Sequence, residues 1–329
     1  MLKSDMTKLG IAVLAVVASV LFTTAAAFAQ AYPTKPVRII VPFPPGGGND
    51  VIARIIGQKL TERWGQQVII DNRAGANGIV GLQLLMQSPP DGYTLAVAAA
   101  GPIAVNPSLY EKLPYDPVRD FAPITNMTNF PLLLVIHPSM PVKNVRELIA
   151  LAKAQPGKIN YASPGSGNSG HLAGELFNNL AGTKIVHIPY KGNGPAITGL
   201  LSGQAQLLFS SIPSVISFVD AKKLNAIAVG SAKRIPSLPA IPTIAESGLP
   251  KYEAYSWVGI VAPAKTPRDI VAKVNHDIVD ILKVKQVGEQ LVQQGALPVG
   301  DSPEEFAAYI KTEIQKWGAI VKSANIKAD

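Results

Sequence analysis

The 329-residue chain contains no cysteine. Disulfides, thiolate metal sites, thiol nucleophiles and a lipid-modified cysteine anchor are therefore excluded. Histidine is scarce as well. His137, His171, His187 and His276 lie far apart, and no pair of histidines or carboxylates has metal-ligand spacing. Aromatic residues make up 6% and charged residues 16%. The net charge is +8, yet Lys and Arg are scattered, with only short pairs such as Lys222-Lys223 and Lys233-Arg234. Without a basic stripe interleaved with aromatics, nucleic acid is not an expected partner. A mild positive field suits solubility and small anions. The 28 Gly and 28 Pro follow no period, which excludes collagen and low-complexity disorder. The length suggests about two domains.

One long hydrophobic run is present, at the N-terminus. Leu9 to Phe28 carries no charge, Lys3 and Lys8 precede it, and Ala27-Phe28-Ala29 places small residues where a signal peptidase reads them. Residues 1–29 are expected to be a secretory signal peptide rather than a membrane anchor, because no basic stop-transfer flank follows. Ala29-Gln30-Ala31 is a second candidate cleavage site. Loss of Lys3, Lys8 and Asp5 would lower the charge by one, from +8 to +7. The mature chain is expected to be soluble and exported to a bacterial periplasm.

Beyond the leader, β-rich runs alternate with helical patterns. Strands are expected at Val37–Phe43, Gln67–Asp71, Leu95–Ala99, Leu132–Ile136, Ile159–Ala162, Ile185–Ile188, Ala205–Phe209, Ala226–Val229 and Trp257–Val261. Helices are expected from Val51, over Ile79–Met86 and Val145–Ala154, and over most of the chain from Pro267 onward. This alternation predicts a parallel α/β architecture. Two segments about 120 residues apart, KPVRIIVPFPPGGGNDVIARIIG and GKINYASPGSGNSGHLAGELF, share a strand, a Gly-rich turn and a helix. Two such units facing one another would form a clamshell, with ligand beyond the strand ends at the helix N-termini.

The first loop, Phe43-Pro44-Pro45-Gly46-Gly47-Gly48-Asn49-Asp50, lets backbone N–H groups approach a carboxylate or phosphate. Asp50 would repel a second anion and is expected to cap the helix or accept a ligand hydroxyl. The second loop, Gly165-Ser166-Gly167-Asn168-Ser169-Gly170, fits a dinucleotide fingerprint by spacing. However, no Asp or Glu occurs between Glu175 and Asp220 to bind a ribose. Ser163, Ser166 and Ser169 suit carboxylate oxygens instead. A serine hydrolase using Ser169 and His171 is the alternative, although the sequence misses the last Gly of the nucleophile elbow. His171 more naturally caps or orients the loop. Tyr190 and Lys191, in Pro189-Tyr190-Lys191-Gly192, are candidate cleft residues.

Across nearly the whole mature chain the sequence resembles the Bug family of periplasmic solute-binding receptors of tripartite tricarboxylate transporters. The resemblance rests on YPTKPVRIIVPFPPGGGND, PPDGYTLAVA, NPSLYEKLPYDPVRDF, ELIALAKAQPGKINYASPGSG, HLAGELF, HIPYKGNGPA, IPTIAESGLPKYE and WVGIVAPAKTP, in that order. Departures fall at Ala74, Asn225 and Lys265, outside both loops. The resemblance implies an α/β, two-lobe periplasmic-binding-protein (Venus-flytrap, type II) fold that closes on ligand held in the cleft between lobes. Lobe 1 is expected over residues 30–131 and 258–329, and lobe 2 over 132–257. The candidate ligand-binding residues are Phe43, Gly46, Gly47, Gly48, Asn49, Asp50, Ala99, Ala100, Ser163, Gly165, Ser166, Gly167, Ser169, His171, Tyr190 and Lys191. Ala98 to Pro102 is expected to face the cleft and to favour an acid with an apolar or aromatic body. The implied role is non-enzymatic, without cofactor or metal. A monomeric receptor would pass a small organic carboxylate to an inner-membrane permease or report it to a sensor.

Overall fold

The computed structural model describes residues 32–327, so the leader expected over residues 1–29 lies outside the described residues. The run Val37–Val41 forms β1. The glycines after it break the strand, and the chain enters α1 (Gly48–Trp64), which buries Ile52, Ala53, Ile56 and Leu60 at helical spacing. Gly65, left-handed at φ 63°, ends this helix. Strand β2 (Val68–Asn72), helix α2 (Ile79–Met86) and strand β3 (Thr94–Ala99) follow. Both β2 and β3 pair with β1 in parallel. After β3 the chain makes a π-turn over Gly101–Val105 that runs into a short helix, α3 (Asn106–Leu109).

Next comes the strand that organises the molecule, β4 (Phe121–Ile136). The second unit consists of α4 (Val145–Ala154), β5 (Asn160–Ser163), α5 (Ser169–Ala181), β6 (Val186–Pro189), α6 (Asn193–Leu201), β7 (Leu207–Ser211), α7 (Ile212–Asp220) and β8 (Asn225–Val229). The chain returns through β9 (Tyr255–Pro263) and finishes with α8 (Arg268–Lys283), α9 (Lys285–Gln293), the two-residue β10 (Leu297–Pro298) and α10 (Pro303–Ser323).

The strand order is β2-β1-β3-β9-β4-β7-β5-β6, with β8 and β10 also paired to β4. The expected parallel sheet holds only inside each unit. Where the units join, β3 with β9, β9 with β4, and β4 with β7 are all antiparallel. The reason is connectivity: the outgoing and returning crossings lie side by side, so they must run in opposite directions. β4 pairs with β9 over Phe121–Pro131 and with β7 over Leu132–Ile136. One strand thus serves both halves of this two-lobed α/β fold.

Only Leu132–Ile136 of β4 reads as strand in the sequence. Its first half carries Pro123, Asn126 and Asn129 and is irregular, with register shifts at Pro123/Thr125 and Asn126/Thr128. Some of the polar groups there are held from outside the strand, while Asn126 Oδ1 and Thr128 Oγ1 are buried with no hydrogen-bond partner among the described residues. Asp301 Oδ1 accepts Asn126 N–H at 2.6 Å, and Thr125 Oγ1 donates to Asp301 O at 2.9 Å. The largest core cluster runs through both units, from Ile40 and Leu82 to Phe177 and Phe209, and includes Trp317 and Ile320 of α10. The opposite sheet faces carry two smaller clusters, one per unit. Among the described residues no helix is long and apolar enough to cross a membrane.

Candidate functional site

A cleft of about 1100 Å³ opens where the ends of several strands meet the helices that follow them. Four helix N-termini reach its wall. Gly47 and Gly48 belong to the start of α1, Asn168 and Ser169 to α5, Asn193 to α6, and Ser211 and Ser214 to α7. A helix start carries about half a positive charge and N–H groups outside the helix's own ladder, and at α5 the Asn168 side chain already accepts two of them. None of the described lining residues is Asp, Glu, Lys, Arg or His. The wall therefore offers anion-binding dipoles without a side-chain cation. Phe43, Leu109, Phe130, Leu132 and Phe209 supply its apolar surface. The Ser210 hydroxyl also belongs to the wall. It is buried and has no hydrogen-bond partner among the described residues.

Of the residues singled out in the sequence, Phe43, Gly46, Gly47, Gly48, Asn49, Gly165, Ser166 and Ser169 line this cleft. The others stand behind it or beside it. Asp50 is buried under the first loop, where its carboxylate accepts Gly46 N–H at 2.8 Å, Arg54 Nε at 2.9 Å and Asn72 Nδ2 at 2.9 Å. Burial raises a carboxylate's pKa, but these donors outweigh it and hold Asp50 below its usual range. Asp50 thus ties the loop to α1 and β2, and its charge is met by Arg54.

Ala99 and Ala100 are buried and do not line the cleft. The π-turn at Gly101–Val105 carries this segment into the core. Tyr115 Oη donates to Pro102 O at 2.6 Å and Asn77 Nδ2 donates to Asn106 Oδ1 at 2.8 Å. The expectation that Ala98 to Pro102 faces the cleft is corrected accordingly, because no residue pattern in the chain signals the π-turn.

Ser163, Gly167 and His171 are buried behind the second loop. Asn168, the N-cap of α5, accepts Gly170 N–H at 2.8 Å and His171 N–H at 3.1 Å. His171 Nδ1 accepts Gly167 N–H at 3.0 Å, and its ring is stacked on His187. These bonds engage His171 in shaping the loop, which does not favour the hydrolase alternative. Tyr190 packs on α6, where a Cβ on Gly199 would overlap its phenol, and Lys191 is exposed. Neither lines the cleft.

Ser210, Ser211, Ser214, Asn193, Phe130 and Ser256 line the cleft and were not singled out in the sequence. A signal for three of them was present: Ser210-Ser211 ends a strand and Ser214 opens the next helix, the same strand-end placement as the two glycine loops. Phe130 and Ser256 face each other in register on β4 and β9, a pairing invisible until the two crossings are paired.

Comparison with known proteins agrees with this geometry. Residues 52–326 match the model of the tripartite tricarboxylate transporter family receptor. Protein BugT of Bordetella pertussis is 38% identical over 300 residues, covering 91% of this chain and 92% of its own. The structure of Rpa4515 of R. palustris with adipate has a TM-score of 0.81 at 36% identity, covering 90% of this chain and 99% of that one. MatC of Rhodopseudomonas palustris with bound malate has a TM-score of 0.76 at 31% identity, covering 88% and 100%. The family is one of receptors, and this chain belongs to the tripartite tricarboxylate transporter receptor family.

Proposed function

We propose that the protein captures a small organic carboxylate in the cleft between its lobes and has no catalytic activity of its own. The observation that carries this is the convergence of four helix N-termini on a wall with no charged side chain among its described residues. Backbone N–H groups of Gly47, Gly48 and Asn49 in the first loop and of Ser166 and Ser169 in the second would hold one carboxylate, with ordered water bridging where the reach is too long. Adipate and malate in the two related structures are both dicarboxylates, which supports the same class here. Phe43, Phe130 and Phe209 would pack on an apolar or aromatic body, in the role first expected of Ala98 to Pro102.

The change of β4's partner at Pro131/Leu132 and the return at Tyr255 support lobe 1 over residues 30–131 and 258–329 and lobe 2 over 132–257. Residues 1–29 would direct export to the periplasm, where a monomer would serve an inner-membrane permease or a sensor.

The test is a thermal-shift screen of the mature protein against C4–C6 dicarboxylates, citrate, aromatic acids, acidic amino acids and nicotinate. A ligand at about 100 times its dissociation constant should add about 2.7 kcal/mol, a shift of several degrees. The shift should disappear in Gly47→Asp and Gly165→Asp, which place a carboxylate where the ligand's would sit. Steady turnover of an ester panel, lost on Ser169→Ala, would instead restore the hydrolase reading.

A further inference from the structure

Two imidazoles lie face to face behind the second glycine loop. The rings of His171, in the first turn of α5, and His187, on β6, have centroids 3.6 Å apart and planes 8° from parallel. Each ring holds one point of the loop. His171 Nδ1 accepts Gly167 N–H at 3.0 Å. His187 Nε2 shares a hydrogen bond of 2.6 Å with Ser163 Oγ, which also accepts Gly165 N–H at 3.2 Å. Gly165 and Gly167 have φ of 144° and 74°, a path that only glycine follows readily and that needs outside bonds to be fixed. Ser166 and Ser169, on either side of Gly167, line the cleft.

We propose that His171 and His187 are positioning residues for the ligand loop, and that protonating this stack loosens the loop so that ligand affinity falls with pH. The proposal rests on the carboxylate-receptor reading of the cleft. An imidazole Nδ1 accepts an N–H only while it is unprotonated. Once protonated it becomes a donor facing the Gly167 donor, and that bond is lost. A second positive ring 3.6 Å away is opposed by the first, so the stack titrates as a unit.

From β5, the Tyr161 ring lies 5.0 Å from His187 and 6.3 Å from His171. Its hydroxyl donates to Glu175 Oε1 at 2.6 Å and lies 3.1 Å from His171 O. Glu175, on α5 itself, has its carboxyl pushed up by burial. Tyr252 donates to Ala173 O at 3.0 Å, and Phe209 of β7 packs edge-on to Tyr161. From α10, which packs on α5, come Glu313 and Lys316. They are paired with each other, and Glu313 also accepts the indole N–H groups of Trp257 and Trp317.

The test has one arm without ligand and one with it. In the ligand-free protein, histidine side-chain nitrogen-15 spectra are followed together with the Gly167 amide from about pH 8 to about pH 5. The expected result is an unprotonated His171 Nδ1 at the upper end and a Gly167 amide that shifts with the ring's own midpoint. In the second arm adipate is the calorimetric probe over the same range. Wild-type affinity should fall about tenfold more than that of His171→Gln, whose carboxamide oxygen accepts the same N–H without titrating. His171→Phe should bind weakly at every pH while still melting cooperatively.

A Gly167 amide that ignores the ring's titration overturns the proposal. So do superimposable pH profiles for wild type and His171→Gln. If adipate binds at no pH, the carboxylate-receptor reading takes that failure, and the ligand-free arm decides the loop inference by itself.

Discussion

Asp50 places a negative charge within one turn of a helix N-terminus that is assigned here to an anion. The conflict is local. Its carboxylate is fully engaged by Gly46 N–H, Arg54 and Asn72, and so acts as a strut for the loop. Asp50→Asn should therefore cost about 1–3 kcal/mol in denaturant unfolding, and it should also weaken ligand binding by freeing the loop. Because the folded-state pKa of Asp50 is depressed, its contribution is present above the unfolded value of about 4 and is lost as pH falls through the folded value. The stability gap between wild type and Asp50→Asn should close as pH drops from about 7 toward about 3. Ser210 makes the opposite case. Its hydroxyl is buried without a partner among the described residues, so Ser210→Ala should leave the melting temperature unchanged or raise it. The same change should weaken ligand binding about three- to tenfold in calorimetry, since a ligand oxygen would lose its donor.

At the scale of elements, the crossing strands carry the tightest constraint. Gly259 on β9 faces the ring of Phe306 so closely that a Cβ would overlap it, and Thr125 O would lie 2.8 Å from that Cβ. β9 is paired with β3 on one side and β4 on the other, so it cannot move aside. Gly259→Ala should cost about 1–3 kcal/mol as overpacking, read as a lower denaturation midpoint. Trp257, two residues earlier, is fixed by its indole N–H to Glu313 at 3.1 Å, which ties the returning strand to α10. The tip of the first ligand loop is packed less tightly. Gly46, Gly47 and Gly48 are exposed, and a Cβ on Gly46 would meet nothing within 4 Å. Rigid crossings with open loops at the strand ends suit a site that must be reached and then covered.

At the scale of the molecule, the cleft draws residues from both units, so a ligand that contacts both walls favours whichever arrangement brings them closest. Binding of a carboxylate should lower the radius of gyration in small-angle scattering while raising the melting temperature. An unchanged radius alongside a raised melting temperature would show capture without closure. The proposed hinge for such a motion is the stretch where β4 passes from β9 to β7, at Pro131 and Leu132. The largest core cluster and α10 span that line, which limits closure to a small rotation about it rather than a separation of the halves.

Most of the elements could be read directly from the chain, because their causes are local. Ile79–Met86 and Val145–Ala154 are helices within the bounds their periodicity predicts, and the expected strands fall within a few residues of theirs except β4, which begins at Phe121 rather than Leu132. Both glycine loops followed from strand, glycine and helix in succession. What stayed hidden depends on partners distant in sequence. The polar half of β4 pairs with β9 and is also held by Asp301 and Asn275, which bond Asn126 N–H and Ile124 O from more than a hundred residues away. Ala99 and Ala100 are core because a π-turn buries them, while Phe130 and Ser256 reach the cleft only through the pairing of two crossings. Sequence by itself determined which backbone segments can receive an anion, since glycine conformation and helix starts are encoded within a few residues. Tertiary structure alone decided which side chains face it, since that depends on how strands far apart in the chain are brought into register.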